Sequence, residues 1–296
     1  MPLGLVNGLV TQHPHKTVRP PIDSGAVLVT GASSGIGLAL AEQLAQRCRS
    51  LALVARRRER LDQLAAKLVA SHPKLIVHVA SCDLGDRAAL DAMMAGVEAA
   101  IGPVDILVNC AGFGDMSLFD LSRWERSEQM IELNVRALAR LTHLVVPGMK
   151  ARGRGGVLNI SSGMGLTFLP GFATYVGTKH FVTGFTEALR LDLAGSGVVI
   201  TQSCPGPVAS EFAGEVGNFT GIDTPGLLEI GAEQCARESI QAFDLGRALT
   251  IPGTLAWLLT KAAILTPRPL LRLILAPVAA ELRRRQVEAA PRLPAP

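Results

Sequence analysis

The single tyrosine of this chain, Tyr175, is followed four positions later by Lys179 in the stretch ATYVGTKHF. Positions i and i+4 share one face of a helix, so this spacing sets an ammonium one turn from a phenol. A free phenol, with a pKa of about 10, is a poor base at neutral pH. A nearby cation favours its ionised form, and the pair can then exchange a proton with a reacting oxygen. The competing reading is a half-buried phenol beside a solvated charge. What the rest of the chain builds around the two residues decides between them.

Six short apolar runs could carry such a site: AVLVT (26–30), LALVA (51–55), LIVHVA (75–80), DILVNC (105–110), GVLNIS (156–161) and GVVITQSC (197–204). They alternate with amphipathic stretches such as GIGLALAEQLAQRC and RERLDQLAAKLVASH. Strands this apolar are buried on both faces, and in βα alternation they form a parallel sheet with helices on each side. The predicted fold is therefore α/β, a doubly wound Rossmann-type sheet in a single domain. Residues 1–24 read as an N-terminal arm and 25–210 as the core. Residues 211–296 read as a lid and a C-terminal helical extension packed on that core. The extension contains an apolar segment, 253–286, interrupted by Pro267, Pro269 and Pro277.

The first run leads directly into TGASSGIG (30–37). Gly31 permits a sharp strand-to-helix turn, Gly35 allows backbone to approach a pyrophosphate, and Gly37 allows close packing of helix on strand. The helix N-terminus then faces the anion with free N–H groups and a positive dipole. After the second strand come Arg56, Arg57 and Arg58, with no acid before Glu59. An acid there would hold the ribose 2′-hydroxyl of NAD, whereas arginines suit a 2′-phosphate. NADP(H) is expected over NAD(H), with Arg56 as the direct contact and Arg57 second. A solvated basic turn is the alternative.

With these motifs in order, the chain resembles a short-chain dehydrogenase/reductase of the classical type over about residues 25–212. TGASSGIG is similar to that family's cofactor turn, which carries Gly31, Ser33, Ser34, Gly35, Ile36 and Gly37. CDLGD places Asp83 and Leu84 where the family approaches adenine. NCAG, with Asn109, Ala111 and Gly112, resembles the Asn-Asn-Ala-Gly motif, Cys110 replacing its second Asn. ELNV supplies Asn134, NISSG supplies Ser162, and YVGTK supplies Tyr175 and Lys179. CPGPV resembles the segment bordering the nicotinamide, with Pro205, Gly206 and Val208.

The resemblance implies hydride transfer between a nicotinamide and a ketone/secondary alcohol pair. Tyr175 would be the acid/base, Lys179 would lower its pKa and bind ribose, Ser162 would stabilise the substrate oxygen, and Asn134 would hold a proton-relay water. Plainer roles remain open. Ser161 or Ser162 could be a strand-end or capping hydroxyl, Asn134 could bond local backbone, and Asp83 could cap the helix beginning near Asp86. His180, where the family has a small residue, could pack or could perturb Lys179. A cofactor sensor without catalysis, or chemistry on a double bond or as an epimerase, would also fit the sheet.

The apolar residues Met164, Phe168 and Phe172 beside the centre, and Phe212 in the lid, suggest a neutral, hydrophobic substrate. Phe219, Leu227 and Leu228 add to the lid's apolar character. Net charge is only +4 and aromatics only 4%, which argues against nucleic acid. The five cysteines form no CxxC pair, and no Cys/His set has metal-ligand spacing, so reduced thiols in a cytoplasmic protein are expected. No run of 18 uncharged apolar residues suggests a spanning helix, and the N-terminus lacks a signal peptide's apolar region. Peripheral membrane contact through the C-terminal segment is the lesser expectation beside packing on the domain. The resemblance also implies a homodimer or homotetramer with the Tyr175 helix in an interface.

Overall fold

A computed structural model describes residues 18–211, 226 and 229–289. Its strands are β1 (Ala26–Thr30), β2 (Ser50–Ala55), β3 (Ile76–Ser81), β4 (Ile106–Asn109), β5 (Gly155–Ile160), β6 (Val198–Ser203), β7 (Val208–Ala209), β8 (Ile230–Gly231) and β9 (Leu249–Thr250). The six apolar runs become β1 to β6 to within one residue at each end. Seven strands form one parallel sheet in the order β3-β2-β1-β4-β5-β6-β9, and β7 pairs with β8 apart from it. The order reverses between β1 and β4. The crevice outside their carboxyl ends is where ligands of such sheets bind.

The helices are α1 (Gly35–Ala45), α2 (Arg58–Ser71), α3 (Arg87–Ile101), α4 (Trp124–Ile131), α5 (Leu138–Ala151), α6 (Ala173–Asp192), α7 (Ala232–Asp244), α8 (Thr254–Leu265) and α9 (Arg268–Ala289). Strand alternation divides the core in two. Val27, Val29, Leu51 and Leu53 meet Leu40, Leu44 and Leu61 of α1 and α2 and Phe243 of α7. Ala26, Leu28, Ala52 and Val54 meet Leu90, Val97, Leu141 and Val145 of α3 and α5. Each fully buried aliphatic side chain contributes about 1.5–3 kcal/mol.

Two expectations need correction. The residues after 210 do more than pack on a finished core, because α7 covers one face of the sheet and β9 adds a seventh strand beside β6. Two residues are too few to show a period, so β9 leaves no signal in the sequence. Pro277 does not break the C-terminal segment, since α9 runs through it. The break falls instead at Pro267, after an extended Thr266, the conformation that a following proline favours. Pro269 sits in the first turn of α9, where a missing N–H costs little.

Candidate active site

The phosphate end is a backbone cradle. Gly31 and Gly35 have φ of +71° and +53°, in the left-handed region that glycine tolerates best. A Cβ on Gly37 would lie 2.2 Å from the Gly31 carbonyl oxygen, so only glycine lets α1 start this close to β1. Thr30 Oγ1 accepts from the backbone N–H groups of Cys110 and Ala111, each at 3.0 Å, and donates to the Val108 carbonyl at 3.2 Å. This hydroxyl ties the turn after β1 to the NCAG segment after β4, across the switch point. Sequence reasoning missed it, because a threonine ending a strand is also an ordinary β residue. The first turn of α1 carries no acidic side chain to oppose an incoming anion. Glycines that any Cβ would crowd, above a helix N-terminus, fit the phosphates of a dinucleotide.

Arg57, more than Arg56, lies over this turn. Its guanidinium donates to Ser34 Oγ at 2.7 Å and Ser33 Oγ at 3.1 Å. It also pairs with Glu211 at 2.8 Å, and Arg60 pairs with the other oxygen of Glu211 at 2.6 Å. The Arg56 side chain is exposed, and among the described residues it has no polar contact; its carbonyl accepts from Ser81 Oγ. Of the two arginines, Arg57 is thus the one that touches the glycine turn. Asp83 does not cap α3: its carboxylate accepts from Gly85 N at 2.9 Å, while Asp86 takes the cap by accepting from Ala88 N and Ala89 N. Leu84 is buried beside it, and its carbonyl accepts from Arg136. Ile36 packs partly buried against the core.

The chemical end is assembled on α6 and the end of β5. Tyr175 and Lys179 are both buried, with the ammonium 5.7 Å from the centre of the phenol ring. Lys179 Nζ donates to the Ile160 carbonyl at 3.0 Å. Ser162 bonds the Tyr175 hydroxyl and also accepts from Met164 N at 3.1 Å. Its neighbour has a different task, since Ser161 Oγ donates to the Lys179 carbonyl at 3.2 Å and fastens α6 to β5. His180 turns outward, with Nδ1 3.0 Å from the Val176 carbonyl on the exposed side of the helix.

Burial pushes the Tyr175 phenol up to about 12, against a lowering by the Ser162 hydrogen bond. Burial also brings the Lys179 amine down to about 8. In the chain by itself desolvation is the largest cause for both groups. Tyr175 therefore holds its proton at neutral pH. Burial likewise raises the Cys110 and Cys204 thiols to about 12, which keeps them neutral beside Lys179.

Asn134 lies in a π-helical turn, Glu132–Ala137, between α4 and α5. Its amide donates to the Phe113 carbonyl at 2.9 Å and to Thr178 Oγ1 at 3.2 Å, and its oxygen accepts from Phe113 N at 3.1 Å. The backbone it bonds is thus 21 residues away rather than local. A Cβ on Gly112 would lie 2.9 Å from the Asn134 oxygen and 3.7 Å from Lys179 Nζ, so this glycine brings the two together. Asn109 donates to Thr142 Oγ1 and Asn159 Oδ1 at 3.1 and 2.9 Å, joining β4 to β5 and α5. Among the described residues its own oxygen, which is buried, has no hydrogen-bond partner.

Around this centre, Met164, Phe168 and Phe172 are half-buried, and the Phe172 ring lies 6.3 Å from that of Tyr175. Phe212, Phe219, Leu227 and Leu228 lie outside the described residues. The Pro205 carbonyl accepts from Gly163 N at 2.8 Å, and Val208 begins the short ladder with Ile230. The C-terminal helices close over this side. Gly206 leaves room for Ala256 of α8, whose Thr260 also reaches the space beside Gly163. Leu282 of α9 packs over Gly171, and Gln286 accepts from Leu118 N at 2.9 Å.

Residues 25–220 match the family model described as short chain dehydrogenase, and the chain belongs to that family. It is 33% identical over 244 residues to Sulfoacetaldehyde reductase 2 of Chromohalobacter salexigens, covering 78% of this chain and 89% of the relative. It is 39% identical over 199 residues to Glycine betaine reductase ATRR of Emericella nidulans, covering 66% of this chain but spanning only 15% of that longer protein. A short-chain dehydrogenase from Sphingobium yanoikuyae, solved in complex with NADPH, superposes with a TM-score of 0.72 at 33% identity, over 81% of this chain and 93% of the other. The chain is therefore an oxidoreductase of the short-chain dehydrogenase/reductase family, with the Rossmann-type fold.

Proposed function

We propose that the protein is an NADP(H)-dependent carbonyl reductase or alcohol dehydrogenase acting on a neutral, hydrophobic ketone/secondary alcohol pair. The observation that carries this reading is the Ser162–Tyr175–Lys179 constellation, with Tyr175 and Lys179 buried and Lys179 beside the Gly112 segment that packs on the glycine turn. Gly31 to Gly37 and the N-terminus of α1 would hold the pyrophosphate, and Arg57, with Arg60 behind it, the 2′-phosphate. Lys179 would reach the nicotinamide ribose. When bound, the nicotinamide supplies or accepts the hydride.

In the reducing direction Ser162 donates a hydrogen bond to the carbonyl oxygen and stabilises charge as it develops. Tyr175, protonated at neutral pH, gives its proton to that oxygen, so the carbon gains a hydride and the oxygen a proton. The ammonium of Lys179 stabilises the phenolate that remains until it is reprotonated. Asn134 would hold a relay water beside Lys179, and it anchors the Phe113 backbone that walls the site. A neutral substrate is supported by Met164, Phe168 and Phe172 and by the absence of any Arg or Lys between 163 and 172. The proposal includes a cytoplasmic homodimer or homotetramer. Exposed Phe181 and Leu191 along α6 suit a subunit contact.

The test is initial-rate oxidation of NADPH, with NADH alongside, across a panel of neutral ketones, each with Tyr175→Phe as control. Turnover with NADPH that the variant abolishes is expected. Tyr175→Phe retaining wild-type rates would remove the proton-transfer assignment, and a clear preference for NADH would remove the role of Arg57.

A further inference from the structure

We infer that the hairpin of α8 and α9 docks on the surface of an anionic lipid bilayer. The two helices meet at a bend of 118° across Thr266 and Pro267. On α8 the buried positions are Ala256 and Thr260; on α9 they are Leu282 and Gln286. Between those anchors Leu271, Leu275 and Ala279 are partly covered, while most of the other apolar side chains are exposed. Leu265 is 80% exposed and Leu273 71%, and Trp257, Leu258, Leu259, Ile264, Leu270 and Ile274 are exposed with them. An apolar surface this continuous marks an interaction site, since monomeric surfaces scatter such residues singly.

Charge selects the occupant. From residue 245 to 280 the chain has no Asp or Glu, while Lys261, Arg268 and Arg272 stand among the exposed leucines. At the foot of α9 the arginines are neutralised: Arg283 pairs with Asp120, and Arg284 and Arg285 pair with Glu281. Among the described residues the three cations of the tip form no ion pair. A twofold contact with a second copy would set this patch against itself, cation facing cation, with no acid in the patch to compensate. An anionic lipid surface accepts both components, apolar side chains below the headgroups and cations among the phosphates. Among the described residues no single helix is long and apolar enough to cross a membrane, although α8 and α9 pass that test together as a bent pair; the cations set along both helices place the hairpin at the interface, with exposed Trp257 at the boundary. Because Thr260 and Leu282 also border the centre around Gly163 and Gly171, this contact would place the entrance for an apolar substrate beside the lipid.

The experiment is flotation of the full chain with vesicles of phosphatidylcholine alone or mixed with phosphatidylglycerol, at low and raised salt. The wild type is expected to float with the anionic vesicles and to be released by salt. A Leu265→Glu/Leu273→Glu/Ile274→Glu variant, and separately Arg268→Glu/Arg272→Glu, should each lose binding by roughly tenfold or more. Circular dichroism and NADPH titration establish that both variants remain folded, and neither readout depends on turnover. A wild type that stays unbound overturns the inference, as does equal binding to neutral vesicles. If the triple variant instead converts a stable oligomer to monomer while the wild type ignores lipid, the face belongs to a second copy and the inference fails.

Discussion

Arg57 joins Glu211 at 2.8 Å with one nitrogen of its guanidinium and Ser34 at 2.7 Å with another. One side chain thus links the phosphate turn to the end of the strand-and-loop segment after β6. Arg60 and Arg57 hold the Glu211 carboxyl below its usual range, so at neutral pH it is an anion resting on the two cations suited to a 2′-phosphate. Binding NADPH would require those cations to exchange one anion for another. Glu211→Gln is therefore expected to tighten NADPH binding by a few fold and to leave NADH binding unchanged. Arg57→Ala should weaken NADPH roughly tenfold or more by removing a charge-assisted contact, whereas Arg56→Ala should change it little. Fluorescence titration of each cofactor reads all three variants. A larger loss from Arg56→Ala than from Arg57→Ala would reverse the assignment.

The buried amine of Lys179 predicts a stability that depends on pH. Its folded pKa, about 8, lies below the usual 10.5, so between those values the unfolded chain binds the extra proton. Stability must rise with pH across that window, and below it the cost of burying the charge is fully present. The shift corresponds to roughly 3 kcal/mol. Lys179→Met removes that cost but leaves the Ile160 carbonyl without its donor, which returns about 1–2 kcal/mol. The cofactor-free variant should thus be more stable than the wild type at pH 7, by an amount on the order of 1–2 kcal/mol. The advantage should vanish and then reverse as pH approaches 10.5. Urea midpoints at a series of pH values measure it, and a difference independent of pH would show that Lys179 is not held down. Tyr175 works in the opposite sense at higher pH, because its raised pKa removes stability between pH 10 and about 12.

What the sequence conveyed and what it hid follow from the range of the interactions. β1 to β6 were legible because strands covered on both faces are apolar throughout, and the i, i+4 pair of Tyr175 and Lys179 was legible because one helix sets its geometry. The relation between Arg56 and Arg57 was not, since adjacent side chains leave a turn in different directions and only the twist of β2 into α2 decides which meets Ser34. Nor was the Tyr175 pKa, because desolvation depends on what other segments bring over the phenol. Asn134 and Phe113 meet across 21 residues through a π-helical turn that has no sequence period of its own. The open hairpin tip was hidden for a related reason: the apolar content of α8 and α9 is the same whether they pack on the domain or stand away from it.

Two glycines separate packing from propensity. A Cβ at Gly37 would sit 2.2 Å from the Gly31 carbonyl oxygen, which cannot retreat without opening the cofactor turn. Gly37→Ala should cost about 1–3 kcal/mol as an overpacking change and weaken NADPH binding with it. Gly96, inside α3, has nothing within 4 Å of its Cβ position. Gly96→Ala should stabilise by about 0.5–1 kcal/mol through helix propensity and leave cofactor affinity untouched. Thermal melts with and without NADPH test the pair, and similar effects from both would mean that the turn is looser than its geometry.

The clasp between α9 and the segment after NCAG should act on substrate more than on cofactor. Gln286 is buried; it accepts from Leu118 N at 2.9 Å and donates to Ser117 Oγ at 2.6 Å, while Ser117 N donates to the Gly171 carbonyl at 2.8 Å. Gly171 precedes Phe172, whose ring faces Tyr175, so the chain of bonds runs from α9 to the wall of the catalytic centre. The glycine turn and Arg57 take no part in it. Gln286→Leu strands the Leu118 N–H and should cost about 1–3 kcal/mol. Its kinetic mark should be a ketone KM raised several fold while the NADPH Kd holds steady. Arg283→Ala removes only an exposed pair with Asp120 and should leave both parameters unchanged. Steady-state kinetics beside cofactor titration distinguish these outcomes. A loss of NADPH affinity in Gln286→Leu equal to the rise in KM would show general loosening of the fold instead of a clasp on the substrate side.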